Sequence, residues 1–567
     1  MIEDLWYKNA IIYSLDVDTF MDGNGDGIGD FEGLIRRLDY LVNLGVDVIW
    51  LAPFQPSPNR DNGYDVSDYY GVDGRHGSSG DFVEFLHEAR GRGLRVMMDL
   101  VLNHTSDQHR WFQEARKDPR SKYRDWYVWS KKRPRDWNRG MVFPPFQHST
   151  WTRDPVAKAY YLHRFYDFQP DLNVNHPEVR TELRRIIGFW LELGLDGFRL
   201  DAVPFLIEHP NPAGRATSNK MMFEYLEEIR TFLTWRTGHA IVLGEANVLP
   251  TEIAGYFRDG RGLHMMFNFW VNQRLFHALA TADTAPLIDA LEATRTLPAT
   301  SQWAHFLRNH DELDLGRLTD DQRAAVFARF GPDETMQLYG RGIRRRLAPM
   351  LGTRAQTELA YSVLLSLPGT PVLRYGDEIG MGEDLSLAER NAVRTPMQWS
   401  DDACGGFSTA SKLIHPVIDG GPFGYQHVNV EQQKRDPASL LRWMMRMIRL
   451  RKECPEIGWG GWEALKTRSP HVLALCFDWR DNAVVVIHNF DEKAHEVKLS
   501  IKRPRAGRLV DLLSENESIA DARGVHRIAL EAFGYRWFRV GDLNYALRRT
   551  TETPLRQERP SKPRRRS

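Results

Sequence analysis

The chain has 567 residues, of which 42% are hydrophobic and 26% are charged. This composition is typical of globular proteins with a large core, so extensive disorder is excluded and two to four domains are expected. Lys plus Arg and Asp plus Glu both number 75, a balance that favours neither nucleic acid nor an anionic membrane as the partner. A neutral small molecule is expected instead.

The cysteines and the N-terminus predict where the protein works. Cys404, Cys454 and Cys476 are an odd, scattered set that cannot form a disulfide framework, which favours a reducing compartment. The first residues lack a basic region followed by a long apolar run, and no apolar stretch reaches 18 residues. We therefore expect a soluble, cytoplasmic protein.

Short apolar runs that end in polar residues occur eight times along the chain. Amphipathic helical segments separate most of them, as Leu34, Leu38 and Leu41 do before the second run. Eight repeats of strand and helix predict an α/β fold of the (β/α)8 TIM barrel type. The runs are residues 10–17, 47–54, 94–104, 196–203, 240–247, 264–269, 303–312 and 370–378.

Two segments interrupt or follow this repeat. Residues 105–175 are rich in Trp, Arg, Lys and Pro and lack helical periodicity, which predicts an inserted subdomain B after strand three, over the barrel mouth. Residues 458–545 contain short alternating runs, which predict a C-terminal antiparallel β-sandwich domain. The catalytic barrel then comprises residues 1–104 and 176–457. Residues 546–567 are basic and poor in apolar side chains, and we expect a disordered tail.

Polar residues gather where the predicted strands end, which is where TIM barrels place their active sites. Crowded carboxylates there indicate either metal binding or glycoside chemistry, in which one carboxylate attacks the anomeric carbon and another protonates the leaving oxygen. Arg199 beside Asp201 would keep a nucleophile ionised, whereas a structural ion pair is the alternative for these two residues alone. The strand-end residues are Asp99, Asn103, His104, Arg199, Asp201, Glu245, His310 and Asp311.

Four segments follow one another along the chain: "DLVLNH" (99–104), "GFRLDAV" (197–203), "GEAN" (244–247) and "FLRNHDE" (306–312). In this order they resemble the signature regions of the α-amylase family, glycoside hydrolase family 13. The resemblance implies a retaining double displacement in which Asp201 is the nucleophile, Glu245 the general acid/base and Asp311 the carboxylate that grips the sugar in the transition state. The other sugar-site residues that the resemblance implies are His104, Phe165, Arg199 and His310.

Further segments are similar to the α-glucosidase and trehalose synthase branch of the family, among them "NGYDVSDY" (62–69) and "QPDLN" (169–173). In that branch the residue matching Tyr64 stacks on the terminal glucose, and the one matching Asp65 pairs with the arginine that matches Arg394 in "VRTPMQW". Such a clamp would direct attack to chain ends. The likeness is greatest to members that isomerise maltose to trehalose through a covalent glucosyl-enzyme.

Some positions depart from that branch and leave alternatives open. Residues 13–20 and the strand-six segment differ from the usual pattern, and Arg374 replaces a common tyrosine. An exo-acting α-glucosidase or an α-glucosyltransferase to another acceptor therefore stays open. A non-catalytic amylase-like interaction protein is a rival of another class, against which the intact catalytic carboxylates argue. The expected partner is a small α-glucoside such as maltose, with no nucleic acid or membrane; homo-oligomerisation is left open.

The loop "DGNGDGIGD" (22–30) resembles half of an EF-hand. Its acidic and amide residues occupy positions 1, 3, 5 and 9 of a calcium loop, with Gly27 at position 6, but position 12 is Gly33 and not the bidentate Glu. The family resemblance implies a structural Ca²⁺ or Mg²⁺, with a metal-free turn as the alternative, and no organic cofactor. The predicted ligands are Asp22, Asn24, Asp26, Ile28 and Asp30.

Overall fold

The structure, a computed structural model, describes residues 3–135, 137–144, 146–207 and 219–541, so the tail predicted at 546–567 lies outside the described residues. The strands are β1 (Ile12–Leu15), β2 (Val48–Leu51), β3 (Arg95–Leu100), β4 (Trp129–Ser130), β5 (Trp151–Asp154), β6 (Ala159–Leu162), β7 (Gly197–Leu200), β8 (Ile241–Gly244), β9 (Met265–Phe267), β10 (Gln302–Phe306), β11 (Leu313–Asp314), β12 (Gln337–Leu338), β13 (Gly342–Ile343), β14 (Thr370–Arg374), β15 (Gly461–Ala464), β16 (Val472–Trp479), β17 (Asn482–Asn489), β18 (His495–Ser500), β19 (Arg508–Asp511), β20 (Glu517–Ile519), β21 (Val525–Leu530) and β22 (Tyr535–Val540).

The helices follow in the same chain order. They are α1 (Val17–Phe20), α2 (Phe31–Arg36), α3 (Leu38–Leu44), α4 (Ser79–Gly91), α5 (Arg110–Lys117), α6 (Pro177–Leu193), α7 (Val203–Ile207), α8 (Asn219–Arg236), α9 (Ile253–Phe257), α10 (Phe269–Thr281), α11 (Ala285–Ala293), α12 (Asp320–Phe330), α13 (Leu347–Leu351), α14 (Arg354–Ser366), α15 (Val430–Arg435), α16 (Leu440–Glu453) and α17 (Glu456–Trp459). In the part of the chain that is described, no helix combines the length and apolar character needed to cross a membrane.

Eight parallel strands close into a barrel in the order β1, β2, β3, β7, β8, β9, β10 and β14, and β14 returns to β1. The strand interiors are apolar and almost entirely buried, because helices cover the outside of the barrel and side chains fill the inside. Each of the eight predicted apolar runs overlaps one barrel strand. The predicted (β/α)8 barrel is therefore confirmed.

Helix α6 shows how the sequence specifies the outer layer. His176 caps its N-terminus, Pro177 occupies the first turn, and Gly194 ends it in the left-handed region at φ 115°. Its apolar positions recur every three to four residues, and that face is buried against the barrel. The same pattern places helix after strand around the barrel.

Residues 105–175 form an insertion between β3 and β7. It contains the three-stranded antiparallel sheet β4–β6–β5. Isolated bridges between His104 and Asp171 and between Tyr127 and Leu172 join the two ends of the insertion at its base. The insertion is thereby fixed at the end of β3, beside the carboxyl ends of the barrel strands.

The C-terminal domain is antiparallel, as predicted. A six-stranded sheet in the order β15, β16, β17, β22, β19, β20 packs on the β18–β21 pair. It joins the barrel through Ser362 of α14, whose Oγ lies 3.0 Å from His488 Nε2 and accepts a 2.9 Å hydrogen bond from Trp537 Nε1. All three side chains are fully buried.

Replacing Ser362 should therefore weaken the contact between the two domains. We expect Ser362→Ala to lower the free energy of unfolding by about 1–3 kcal/mol, because it leaves two buried polar groups without their partner. Urea denaturation measures the change in the free energy of unfolding. Ser366→Ala is the matched control, since Ser366 lies one turn later, is equally buried and bonds only to carbonyls of its own helix. Equal losses in both variants would contradict the proposed bridging role.

Candidate active site

Arg199 lies at the centre of the polar cluster at the barrel mouth. Its Nη1 is 2.8 Å from Asp99 Oδ1 and 2.6 Å from Asp201 Oδ1, and its Nη2 is 2.8 Å from Glu245 Oε2. The three carboxylates come from the neighbouring strands β3, β7 and β8, and Asp99 and Arg199 are register partners. Arg199 and Asp201 are thus more than a local pair, because one buried guanidinium connects three carboxylates.

A turn after β7 holds Glu245 from a second side. Ala202 has a left-handed φ of 51°, and its backbone N–H donates to Glu245 Oε2 over 3.1 Å. Such backbone conformations are uncommon for residues with a Cβ and concentrate at functional sites. The turn that follows Asp201 therefore also orients Glu245.

Asp311 is surrounded by two arginines and a histidine on the other side of the mouth. His310 Nε2 is 3.1 Å from Asp311 Oδ2, and the guanidinium groups of Arg390 and Arg394 lie 2.8 and 3.0 Å from Oδ1. Tyr64 connects the two clusters, since its hydroxyl donates to Asp99 Oδ2 over 3.0 Å and lies 2.7 Å from His310 Nε2. The Tyr64 and His310 rings are also stacked, with their centroids 5.6 Å apart.

A cavity of about 440 Å³ opens above these groups. Phe165 lies in it with its ring centroid 5.1 Å from that of His104, and Phe143 and Phe205 extend the aromatic wall. Arg199, His310 and Arg394 support the cavity from behind through the contacts given above. The predicted site residues that line the cavity are Tyr64, His104, Phe165, Asp201, Glu245 and Asp311.

The structure does not bring Asp65 and Arg394 together as predicted. The fully buried Asp65 carboxylate accepts hydrogen bonds from Ser57 Oγ and from the backbone of Arg60, and Arg394 binds Asp311 and the His310 carbonyl. The Asp65 carboxylate therefore stabilises its own loop. A different acid–arginine ion pair lines the cavity.

That pair is Asp61 and Arg390, which the sequence reasoning missed. Arg390 Nη2 is 2.7 Å from Asp61 Oδ1, both line the cavity, and Gln169 donates to the other Asp61 oxygen over 2.8 Å. Each member lies four residues before the predicted one. The sequence contains a sign of this alternative, because an acid and an arginine, Asp61 and Arg390, each lie four residues before the predicted partner.

The two carboxylates beside Arg199 differ from free carboxylates in their acidity. Burial raises the pKa of Asp201 to about 6 and that of Glu245 to about 7, although Arg199 opposes both shifts. Neighbouring carboxylates raise both pKa values further. Near neutral pH, Asp201 is mainly ionised and Glu245 still holds a proton in part of the molecules, which suits a nucleophile and a general acid.

The pKa values of Asp311, His310 and His104 are lowered, whereas those of Asp201 and Glu245 are raised. Burial favours the neutral form of Asp311, but His310, Arg390 and Arg394 together hold its pKa well below the usual range. Burial lowers the pKa of His310 and of His104 to about 4. Asp311 is therefore a carboxylate at working pH, and both imidazoles are neutral hydrogen-bonding groups.

The loop at 22–30 lies outside this cluster. Asp22 accepts backbone hydrogen bonds from Gly25 and Gly27 at 2.7 and 2.8 Å, and Asp30 caps α2 by accepting from Gly33 N. The described ranges contain no group of three or more His, Cys, Asp or Glu side chains arranged to hold a metal. The donors present are carboxylate, amide and carbonyl oxygens, the type that Ca²⁺ prefers; Ile28 can supply only its carbonyl.

Residues 12–339 and 343–460 match the family model of the alpha amylase catalytic domain. The chain belongs to the α-amylase family. Residues 482–539 also match the model of the sucrose hydrolase-like C-terminal domain. The predicted family resemblance is thereby confirmed.

Two curated proteins and one solved structure are similar to this chain over most of its length. A trehalose synthase of Thermus thermophilus is 44% identical over 95% of this chain, which spans only 56% of that protein's length. A trehalose synthase of Pimelobacter sp. (strain R48) is 41% identical over 95% of this chain and 96% of its own. The solved structure of a mutant of the trehalulose synthase MutB in complex with Tris superposes with a TM-score of 0.75 at 29% identity, covering 94% of this chain and 100% of that one.

The different pKa values of Asp201 and Glu245 predict a narrow bell-shaped pH profile for the activity of this α-amylase family member. kcat/KM should rise as Asp201 ionises near pH 6 and fall as Glu245 loses its proton near pH 7, with apparent values that belong to the coupled pair. Initial rates across pH 4–9, a range of about two units beyond each value, measure both limbs.

Glu245→Gln tests the assignment of the alkaline limb. That limb should disappear, while an activated aryl α-glucoside, which needs little leaving-group protonation, should still give a first-turnover burst of aryl alcohol. Glu252→Gln is the matched control, because Glu252 lines the cavity but bonds to the Leu249 backbone. Persistence of the alkaline limb in Glu245→Gln would refute the general acid role.

Proposed function

We propose that this protein is a trehalose synthase that isomerises maltose to trehalose by retaining glucosyl transfer. The observation that carries the proposal is the pair of unequal carboxylates, Asp201 and Glu245, held by one arginine in a cavity lined by aromatic side chains. Identities of 44% and 41% to trehalose synthases support the choice of reaction within the family.

In the first step the Asp201 carboxylate attacks the anomeric carbon of the non-reducing glucose of maltose. Arg199 holds Asp201 Oδ1 at 2.6 Å and so leaves the other oxygen to form the bond. Glu245 donates its proton to the glycosidic oxygen, and glucose leaves. Asp311 supplies negative charge close to the oxocarbenium-like transition state, where such charge is stabilising.

In the second step the released glucose is the acceptor. It turns within the cavity, and Glu245, now deprotonated, takes the proton of its anomeric hydroxyl as that oxygen attacks the glucosyl-enzyme. The product is the α,α-1,1-linked disaccharide, with the configuration of the donor carbon retained. Water that enters instead gives glucose.

The donor half of this site also fits an exo-acting α-glucosidase or a transferase to another alcohol. The Asp61–Arg390 ion pair supports attack at chain ends, because it stands in the cavity beside Tyr64, the residue predicted to stack on the terminal glucose. A non-catalytic role is disfavoured, since the charged groups needed for turnover are all present and placed together. The acceptor decides between the enzyme alternatives.

The setting we propose is a reducing, cytoplasmic one, with a small α-glucoside as the partner. The cysteines at 404, 454 and 476 are free thiols, and the last two are buried. Burial raises the pKa of Cys454 and Cys476 to about 12, so both stay protonated and unreactive.

A labelled acceptor tests the reaction. Maltose incubated with isotopically labelled free glucose should give mainly unlabelled trehalose, because an enclosed glucose reacts at high effective concentration before it exchanges with solvent. Mass spectrometry of the disaccharide gives the labelled fraction. Asp201→Asn should form no trehalose. Glucose without trehalose would place the protein among the α-glucosidases, and transfer only to an added alcohol would make it a different transferase.

We also propose that the loop at 22–30 takes up a structural Ca²⁺ or Mg²⁺, supported by the donor oxygens of Asp22, Asn24 and Asp26. EDTA should then lower the melting temperature without altering the pH limbs of the residual activity, because the loop contributes no group to the cavity. Asp26→Ala should abolish the effect of EDTA, and Asp39→Ala, an exposed aspartate on α3, should keep it. Identical melts with and without chelator would favour a metal-free turn.

A further inference from the structure

Asp16 and Arg374 form a buried ion pair at the catalytic end of the barrel. Asp16 directly follows β1 and Arg374 ends β14, its neighbour in the barrel. Arg374 Nη1 is 3.0 Å from Asp16 Oδ1, and Nη2 contacts Oδ2, so the pair is bidentate. Their exposed fractions are 8% and 1%. The sugar-site contacts described above do not include this pair.

Asp16 stands directly behind the sugar site. It lines a small cavity together with Tyr64, His310 and Arg394. Burial alone would raise the pKa of Asp16, but Arg374, with smaller contributions from Arg394 and His310, lowers it to about 2. Asp16 therefore carries a full negative charge at working pH, close to two arginines.

Arg374 is also linked to Arg394 through Tyr375. The Arg374 guanidinium lies 4.3 Å from the centre of the Tyr375 ring, and the Tyr375 hydroxyl donates to the Thr395 carbonyl over 2.7 Å. Thr395 follows Arg394, whose Nη2 is 3.0 Å from Asp311 Oδ1. Contacts between neighbouring residues thus connect Asp16, through Arg374, Tyr375 and Arg394, to the carboxylate of Asp311.

We propose that the Asp16–Arg374 ion pair positions Arg394, and through it Asp311, for glucosyl transfer without touching the substrate. Arg374 without Asp16 would be an unpaired buried cation that repels Arg394. Asp16 without Arg374 would draw Arg394 away from Asp311. The pair holds the two arginines in separate places, each with its own carboxylate.

The test rests on the proposed glucosyl transfer and uses p-nitrophenyl α-glucoside as the donor, so the identity of the acceptor does not affect the reading. The double variant Asp16→Asn/Arg374→Met removes both charges and leaves no unpaired buried ion. We expect its melting temperature to stay near the parent's. Its kcat should fall about 10- to 100-fold, because Tyr375 loses the Arg374 guanidinium against its ring and with it the fixed position from which it holds Thr395 beside Arg394; small misplacements of catalytic groups have effects of this size, and KM should stay within about threefold.

Glu456→Gln/Arg539→Met is the matched control. Arg539 Nη1 contacts Glu456 Oε1 in a pair as deeply buried, where the C-terminal domain meets α17. This variant should keep the parent kcat. A kcat loss that is equal in both double variants would show that removing any buried pair disturbs the site, and would overturn the proposal.

Arg374→Lys decides the question if the double variant does not fold. It keeps the charge but loses the bidentate geometry, and kcat should fall at least about fivefold with the fold retained. A parental kcat in either folded variant overturns the positioning role. A parent enzyme that releases no p-nitrophenol would instead refute the proposed glucosyl transfer.

Discussion

The active site depends on one guanidinium, that of Arg199, which binds carboxylates from three adjacent barrel strands. Each buried ion loses several kcal/mol of hydration, and only close partners offset this loss. One positive charge cannot fully compensate three negative ones. Burial accordingly raises the pKa of Asp99, as it does those of Asp201 and Glu245, and the cluster holds protons near neutral pH. The deficit of positive charge is what makes a general acid available.

On the opposite wall of the cavity, positive and negative charges are more evenly matched. There two arginines, Arg390 and Arg394, face the carboxylates of Asp61 and Asp311, and the pKa of Asp311 is held low. A carboxylate fixed in its charged form stabilises positive charge that develops on the sugar ring. A carboxyl group therefore serves as the acid on one wall, in Glu245, and as a permanent anion on the other, in Asp311, because the ratio of arginines to carboxylates differs between the two walls.

Much of this arrangement could be predicted from the sequence, and the exceptions have a physical reason. The strands are visible as apolar runs, and residues at their carboxyl ends must converge in a barrel, which predicts Asp201, Glu245 and Asp311 together. The clamp could not be located in this way. Asp61 lies in a turn and Arg390 in the short 3₁₀ helix Glu389–Val393, 329 residues apart in the chain, and only the packing of these segments decides which acid meets which arginine.

The Asp16–Arg374 contact also could not be predicted from the sequence, because each position was considered without its partner in the barrel. Residues 13–20 and Arg374 each depart from the pattern of the trehalose synthase branch, and each taken alone suggests only an altered acceptor side. In the barrel they are neighbours, and the arginine at the end of β14 finds its carboxylate at the end of β1. An arginine buried there without a partner would be costly. Asp16 and Arg374 therefore depend on each other, since neither charge is tolerable at this depth without the other.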